Sequence, residues 1–240
     1  MLEIFGLKKP LPTEISDKAR SMIVIVSGLP GPADAQASAA TAFPTATVHL
    51  ERNATDNDFE VVFEVKGADD GLAELTVVSP DRRTVVAFKA PDASTLGIRS
   101  FRFESPEPSD LKALRAAYPE GIYEFSGRTS KGTQFTGTST LTHRLARSAT
   151  LVKPGQATAT VSVKGLKLAW KPVEGVAFYS VGIKHEESNV NLTALLPASS
   201  TSFAVPDGFL APGKKYTLAV GAVTREGNIT FVETTFTTEK

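Results

Sequence analysis

Between Phe59 and Lys66 the chain alternates strictly: Phe59, Val61, Phe63 and Val65 are separated by Glu60, Val62, Glu64 and Lys66. Successive side chains of a strand point to opposite faces, so this pattern buries one face and leaves the other mostly wet. A second stretch, Leu210 to Asn228 (LAPGKKYTLAVGAVTREGN), repeats the device. Pro212 and Gly213 turn the chain, Tyr216, Leu218, Val220 and Ala222 share one face, and Arg225 to Asn228 turn it back. Half-buried strands of this kind must find a second apolar layer, and two sheets packed face to face supply it.

The rest of the chain extends that pattern. From Val48 onward, strands are predicted over 48–52, 59–66, 72–79, 83–89, 98–104, 121–129 and 134–142, with turns at Ala68 to Gly71, Pro80-Asp81 and Ser130 to Gly132. One helix is predicted over Ser109 to Tyr118, capped by Ser109 or Asp110, with Leu111, Leu114 and Tyr118 on one stripe and Pro119 ending it. Strands at this spacing predict an immunoglobulin-like antiparallel sandwich for residues 48–144. Pro154-Gly155 lies in an aperiodic stretch, so residues 145–156 are expected as a linker. Beyond it, strands are predicted over 158–163, 165–171, 177–184, 191–195, 201–205, 214–224 and 229–238.

In this second unit, Leu166, Leu168 and Trp170 of KGLKLAWKPV, Phe178-Tyr179-Ser180-Val181, and the Leu210 to Asn228 stretch together resemble a fibronectin type III domain. The resemblance covers residues 157–238. It implies that Trp170 packs in the core and that Tyr216 takes the tyrosine-corner position, with Pro172 soon after the tryptophan. Tyr118 to Phe125 echo the order of turn and tyrosine seen in Ala211 to Leu218. The expected fold is therefore all-β: two tandem antiparallel β-sandwiches, immunoglobulin-like and then fibronectin type III-like, with one short helix in the first.

At 240 residues the chain is long enough for two cores of about 100 residues each. Its 26 basic and 26 acidic side chains cancel. Residues 48–144 hold 12 basic and 15 acidic groups, net −3, and residues 157–240 hold 8 and 7, net +1. Neither half carries the concentrated basic surface that nucleic acid requires. There are no cysteines, which excludes disulfides, thiolate metal sites and cysteine nucleophiles.

Residues 1–47 differ from the remainder. Lys8, Lys9, Lys18 and Arg20 precede the apolar run Met22 to Leu29, and Ala35-Gln36-Ala37 follows, an order that fits a secretory signal cleaved after Ala37. The run is too short to span a bilayer, which takes about 20 apolar residues. Gly31 to Thr47 reads as an Ala/Pro-rich linker. These features predict a secreted, periplasmic or cell-surface protein.

Catalytic motifs are sparse. GRTSKGT (127–133) looks like a phosphate loop, but its Lys precedes the glycine and strands flank it, so a hairpin turn is expected. His185 to Asn189 (HEESN) has Asn where a zinc protease needs its second His. His49 and His143, in the first and last strands of the first unit, are expected at ordinary solvent-facing positions, with a paired-His metal site as the alternative. No G-x-S-x-G elbow occurs.

Calcium is the ion that carboxylate-rich turns best suit. Asp69 and Asp70 lie a full strand from Asp56 and Asp58, so they cannot share an ion with them. The chain direction gathers Asp56, Asp58, Asp81, Glu104 and Glu107 at one end of the first sandwich and Asp69, Asp70 and Asp92 at the other. Asp56, Asp58, Asp81 and Glu104 are the candidate ligands, and no other cofactor is implied.

Three surface features complete the reading. Phe178 points outward, against a sugar or against the other domain, and Thr136, Thr138, Thr140 and Thr142 form a row on one face. Asn53, Asn191 and Asn228 head glycosylation sequons. The functional expectation is a non-catalytic exported structural or binding module for a protein or polysaccharide partner. The alternative is a hydrolytic or ion-dependent enzyme with its site in the first unit's loops or between the units.

Overall fold

The computed structural model describes residues 40–90, 96–107, 110–155, 159–185, 187–188 and 190–240. The signal-like segment, its expected cleavage site after Ala37, Asp92, Ser109, Glu186 and Asn189 lie outside the described residues. The first unit comprises β1 (Thr41–Ala42), β2 (Thr45–Asn53), β3 (Asp58–Lys66), β4 (Glu74–Val78), β5 (Thr84–Lys89), β6 (Ser100–Glu104), α1 (Leu111–Ala117), β7 (Gly121–Arg128) and β8 (Gln134–Leu141). The second comprises β9 (Thr150–Lys153), β10 (Ala159–Val161), β11 (Lys167–Lys171), β12 (Phe178–His185), β13 (Asn191–Pro197), β14 (Ser202–Ala204), β15 (Lys215–Val223) and β16 (Ile229–Thr238).

Every strand read from the sequence has its counterpart, because each carries the two-residue alternation that a half-buried sheet selects. In β3 the buried side chains Val61, Phe63 and Val65 join Val48, Leu50, Leu75, Val77, Tyr123, Phe125, Phe135 and Leu141 in the first core. Leu168, Trp170, Tyr179, Val181, Ile183, Tyr216, Leu218, Val220, Ala222 and Phe236 form the second. The helix is capped by Asp110, whose carboxylate accepts the Ala113 amide, and Leu114 is its buried contact.

The two sandwiches share one wiring. In the first, β2-β3-β6 faces β8-β7-β4-β5; in the second, β9-β11-β14 faces β16-β15-β12-β13. In both, a short piece near the start pairs in parallel with the last strand: β1, ahead of β2, with β8, and β10, following β9, with β16. Both penultimate strands open on a tyrosine corner. Tyr123 donates its hydroxyl to the Pro119 carbonyl at 3.1 Å, and the Tyr216 hydroxyl accepts the Ala211 amide at 2.8 Å. Pro119 and Pro212 each stand four residues before their tyrosine, so the sequence echo marks the same corner twice. Trp170 is buried with its ring centroid 5.4 Å from that of Tyr179, the position the fibronectin type III resemblance implies.

Both stretches expected as linkers enter the fold: the described end of Gly31 to Thr47 supplies β1 and the start of β2, because their partners β8 and β3 lie elsewhere in the chain, and residues 145–156 supply β9. Leu145 packs on the first core, Ala146, Ala149 and Leu151 pack on the second, and β9 pairs with β11. Four residues with a register shift against the partner strand are too few to show a period in sequence.

The units are also joined through a sheet. β16 pairs in parallel with β2, Ile229 with Glu51, Thr230 with Arg52 and Phe231 with Asn53, which makes one continuous sheet ordered β13-β12-β15-β16-β2-β3-β6. Paired residues point to the same face. Thr230 and Arg52 therefore face the two cores, while Glu51, Asn53, Ile229 and Phe231 share the outer face across the seam.

Candidate functional site

The seam is where chemistry gathers. Asn228 ends the turn between β15 and β16, and its side chain is only 1% exposed. Its Oδ1 accepts the Leu50 amide at 2.8 Å, and its Nδ2 donates toward the Thr142 carbonyl at 2.8 Å, the Thr142 hydroxyl at 2.9 Å and the Arg144 carbonyl at 2.8 Å. Thr230 donates its hydroxyl to the Ala146 carbonyl at 2.8 Å, and the Ala54 amide donates to the Phe231 carbonyl at 2.8 Å. A carboxamide carries both acceptor and donors, so one side chain can tie a strand of the first unit to the connecting segment and to its own turn.

Beside this joint, on the outer face, lies a pocket of about 100 Å³ lined by Glu51, Asn53, Asp56, Asp58, Glu60, Glu107, Phe231 and Glu233. The β2–β3 hairpin places Glu51 directly opposite Glu60 and Asn53 opposite Asp58. The parallel pairing of β16 adds Phe231 and then Glu233 from the second unit. Asn53 organises the rim: its Nδ2 donates to Asp56 at 2.9 Å and to Glu233 at 3.2 Å, and its Oδ1 accepts the Thr55 amide at 2.9 Å.

Two facing carboxylates respond in opposite ways. Burial opposes ionisation of Glu51, but its 2.7 Å contact with His49 Nε2 and the charge of Arg102 outweigh that and hold its carboxyl below the usual range. Arg102 also pairs with Glu64 at 2.8 Å and Glu104 at 2.6 Å. For Glu60, burial and the charges of Glu104, Glu51, Asp58 and Glu107 act together and push it up to about 7. The pocket thus sets one carboxyl held below its usual range, Glu51, directly opposite one pushed above it, Glu60.

The candidate ligands separate. Asp56 and Asp58 line the pocket with Glu107. Glu104 stands next to it, engaged by Arg102. Asp81 sits in the β4–β5 turn on the opposite sheet, where Ser79 donates to it and Arg83 pairs with it at 2.7 Å. Among the described residues no three of His, Cys, Asp and Glu are grouped so as to hold a metal. Asp69 and Asp70 pair with Arg99 and Lys131 instead.

All three histidines are covered, including the two expected at solvent-facing positions, His49 and His143. His49 is 9% exposed against Glu51, and His185 is 9% exposed with its ring edge-on to Tyr216 at 5.0 Å. His143 Nε2 meets the Tyr118 carbonyl at 2.8 Å. His49 and His143 have separate partners, Glu51 and the Tyr118 carbonyl, because β2 and β8 belong to different sheets. GRTSKGT is the β7–β8 turn, closed by the Thr129 amide on the Thr133 carbonyl.

Phe178 packs with Val223, Ile229 and Phe231 next to the seam, so it covers the joint between the units. Thr136, Thr138 and Thr140 are exposed on β8, but Thr142 leaves the row to accept from Asn228. Two sequons lose their acceptor to burial: Asn228 and Asn53 are 1% and 6% exposed and hydrogen-bonded, whereas Asn191 is exposed.

Sequence reasoning passed over Glu51, Glu60, Arg102, Phe231 and Glu233. The short turn after Asn53 fixes the hairpin register, so the facing of Glu51 and Glu60 was available from strand spacing alone. Glu233 reaches the pocket through a parallel pairing between units that no local pattern encodes.

No family model matches the chain, and no curated protein matches it either. Solved structures do. The FN1–FN3 domains of chicken CNTN1 share 12% identity over 84% of this chain, with a TM-score of 0.32, and the chain spans 65% of that structure's length. A two-domain fibronectin type III segment of chicken tenascin shares 12% identity over 80% of this chain and 96% of its own, with a TM-score of 0.31. The fibronectin(III)-like modules of Clostridium thermocellum CbhA share 9% identity over 85% and 92%, with a TM-score of 0.31. At these TM-scores the likenesses carry no argument about activity or partner. The fibronectin type III-like fold of this chain rests on its own strand order, its buried Trp170 and its two tyrosine corners.

Proposed function

We propose that this chain is a non-catalytic structural and binding module, exported or displayed at a cell surface, in which two sandwiches act as one stiff spacer. The observation that carries this reading is the seam: strand pairing of β16 with β2, reinforced by the four contacts of buried Asn228. Flexible tandem domains meet through wet, exchangeable contacts, whereas a shared sheet and a buried carboxamide resist bending. A rod of fixed geometry suits holding partners at a set distance. No helix among the described residues is long and apolar enough to cross a membrane.

The test combines location and retention. N-terminal sequencing of the natural protein after cell fractionation is expected to find it outside the cytoplasm, starting after Ala37. Polysaccharide and cell-wall pull-downs are expected to retain it. A full-length chain confined to the cytoplasm and retained on neither material would overturn the reading.

A further inference from the structure

A sheet edge is a row of unpaired backbone donors and acceptors, and proteins blunt such edges with charge, proline, bulges or brevity. Among the described residues, several edges are treated that way. β6 carries Arg102 and Glu104, β5 ends on Lys89 and lies against a register shift between Val77 and Val78, and β14 has three residues. β13 is different. It forms one end of the continuous sheet, runs seven residues as NLTALLP, holds no charged side chain, and keeps an unbroken register with β12.

The direction of its backbone groups follows from two facts. The His185 amide donates to the Val190 carbonyl, so Val190, and by alternation Leu192, Ala194 and Leu196, bond inward to β12. Asn191, Thr193 and Leu195 then turn their amides and carbonyls to the other side, where no strand among the described residues pairs with β13. Pro197 shares that outward phase and, having no amide hydrogen, limits the run of outward donors to Asn191, Thr193 and Leu195. Leu195 and Val190 are 42% and 51% exposed beside this edge.

We propose that β13 is an association edge and that its occupant is β13 of a second copy of this chain, paired antiparallel about a twofold axis at Ala194. Charge and pattern both favour a self-partner. With no charge on the strand, self-pairing sets no like charges opposite each other. An axis at Ala194 brings Leu192 against Leu196 of the second copy on the core-facing side and Thr193 against its Leu195 on the other, so core-facing side chains meet core-facing ones and exposed ones meet exposed ones. The contact is isologous and closes on itself as a dimer, with the two continuous sheets joined into one. Because it lies at the far end of the second unit from the seam, the stiff-spacer reading and the dimer stand or fall separately.

The test uses the full chain. Sedimentation velocity across a concentration series is expected to show a monomer–dimer equilibrium, and L195K, which sets a charge into the pairing, is expected to weaken it at least tenfold while melting like the parent. The chain has no cysteine. A194C is therefore expected to form disulfide-linked dimers under mild oxidation at least tenfold faster than T138C on the opposite unit, because residues at the axis of a non-hydrogen-bonded pair stand close enough to bridge. A parent chain that stays monomeric into the high-micromolar range overturns the proposal. So does L195K associating like the parent, or A194C crosslinking no faster than T138C.

Discussion

Asn228 and Glu60 show how much a single side chain decides at the seam. Replacing Asn228 with Ala strands the Leu50 amide together with the Thr142 and Arg144 carbonyls, all inside the joint. Leaving buried donors and acceptors unpaired costs about 1–3 kcal/mol each, so N228A is expected to lose about 3 kcal/mol by urea denaturation, well beyond a surface Asn→Ala change. Glu60 acts through pH. Its folded-state value of about 7 lies above the ordinary 4.5, so the folded chain holds a proton that the unfolded chain has released between those values. Stability from this residue is full below about 4.5 and is lost as pH rises through about 7. Glu51, held low by His49 and Arg102 despite its burial, contributes in the other direction, above 4.5, and its share is lost as pH falls below that range. E60Q is expected to flatten the decline between pH 4.5 and 7 and to be more stable than the parent at pH 8 by on the order of 1 kcal/mol, after allowance for solvent screening at a half-buried site. A melting profile of E60Q that parallels the parent across this window would refute that assignment. Sequence alone showed Glu60 only as the wet side of a strand. Strand spacing could have set Glu51 opposite it, but Glu233 reaches the same pocket only through the parallel pairing of β16 with β2.

At the level of elements, the strands with a clear two-residue period were legible and those without one were not. β3, β12 and β15 announce themselves through alternating Phe, Val, Tyr and Leu, and the turns around them through Pro and Gly. β1 and β9 are two and four residues long and show no period, so their place depends on partners elsewhere in the chain. Backbone crossings are similarly invisible in sequence. Gly71 and Gly97 meet where Leu72 bridges Ile98, and a Cβ on Gly97 would stand 2.5 Å from the Gly71 carbonyl carbon and 2.6 Å from the Asp70 carbonyl oxygen. Backbone cannot yield there as a side-chain tip would. G97A is expected to cost about 2 kcal/mol or more through forced separation of the two segments, whereas G132A, with open space around it, should cost about 1 kcal/mol from its positive φ alone. Chemical denaturation of the two variants side by side measures the difference. The tyrosine corners offer a parallel pair: Y216F leaves the Ala211 amide without its acceptor and is expected to cost about 1–2 kcal/mol.

For the molecule as a whole, the fold class and the two-unit plan followed from local pattern, but the joint between the units did not. Local alternation states that a strand has a buried face. It does not state that the edge of β16 will meet the edge of β2, since that pairing spans more than half the described chain and is set by how the two cores seat Leu145, Ala146 and Ala149. The acidic pocket exists only because of that meeting. Without it, Asp56, Asp58 and Glu60 would remain a solvated rim, and Glu233 and Phe231 would belong to a different surface. The central claim is therefore that the two sandwiches form one rigid body through the β2–β16 seam. Residual dipolar couplings of backbone amides in weakly aligned protein test it most directly. A single alignment tensor is expected to fit the strands of both units in the parent chain and to split into two in N228A, whereas two tensors of different magnitude already present in the parent would contradict the account.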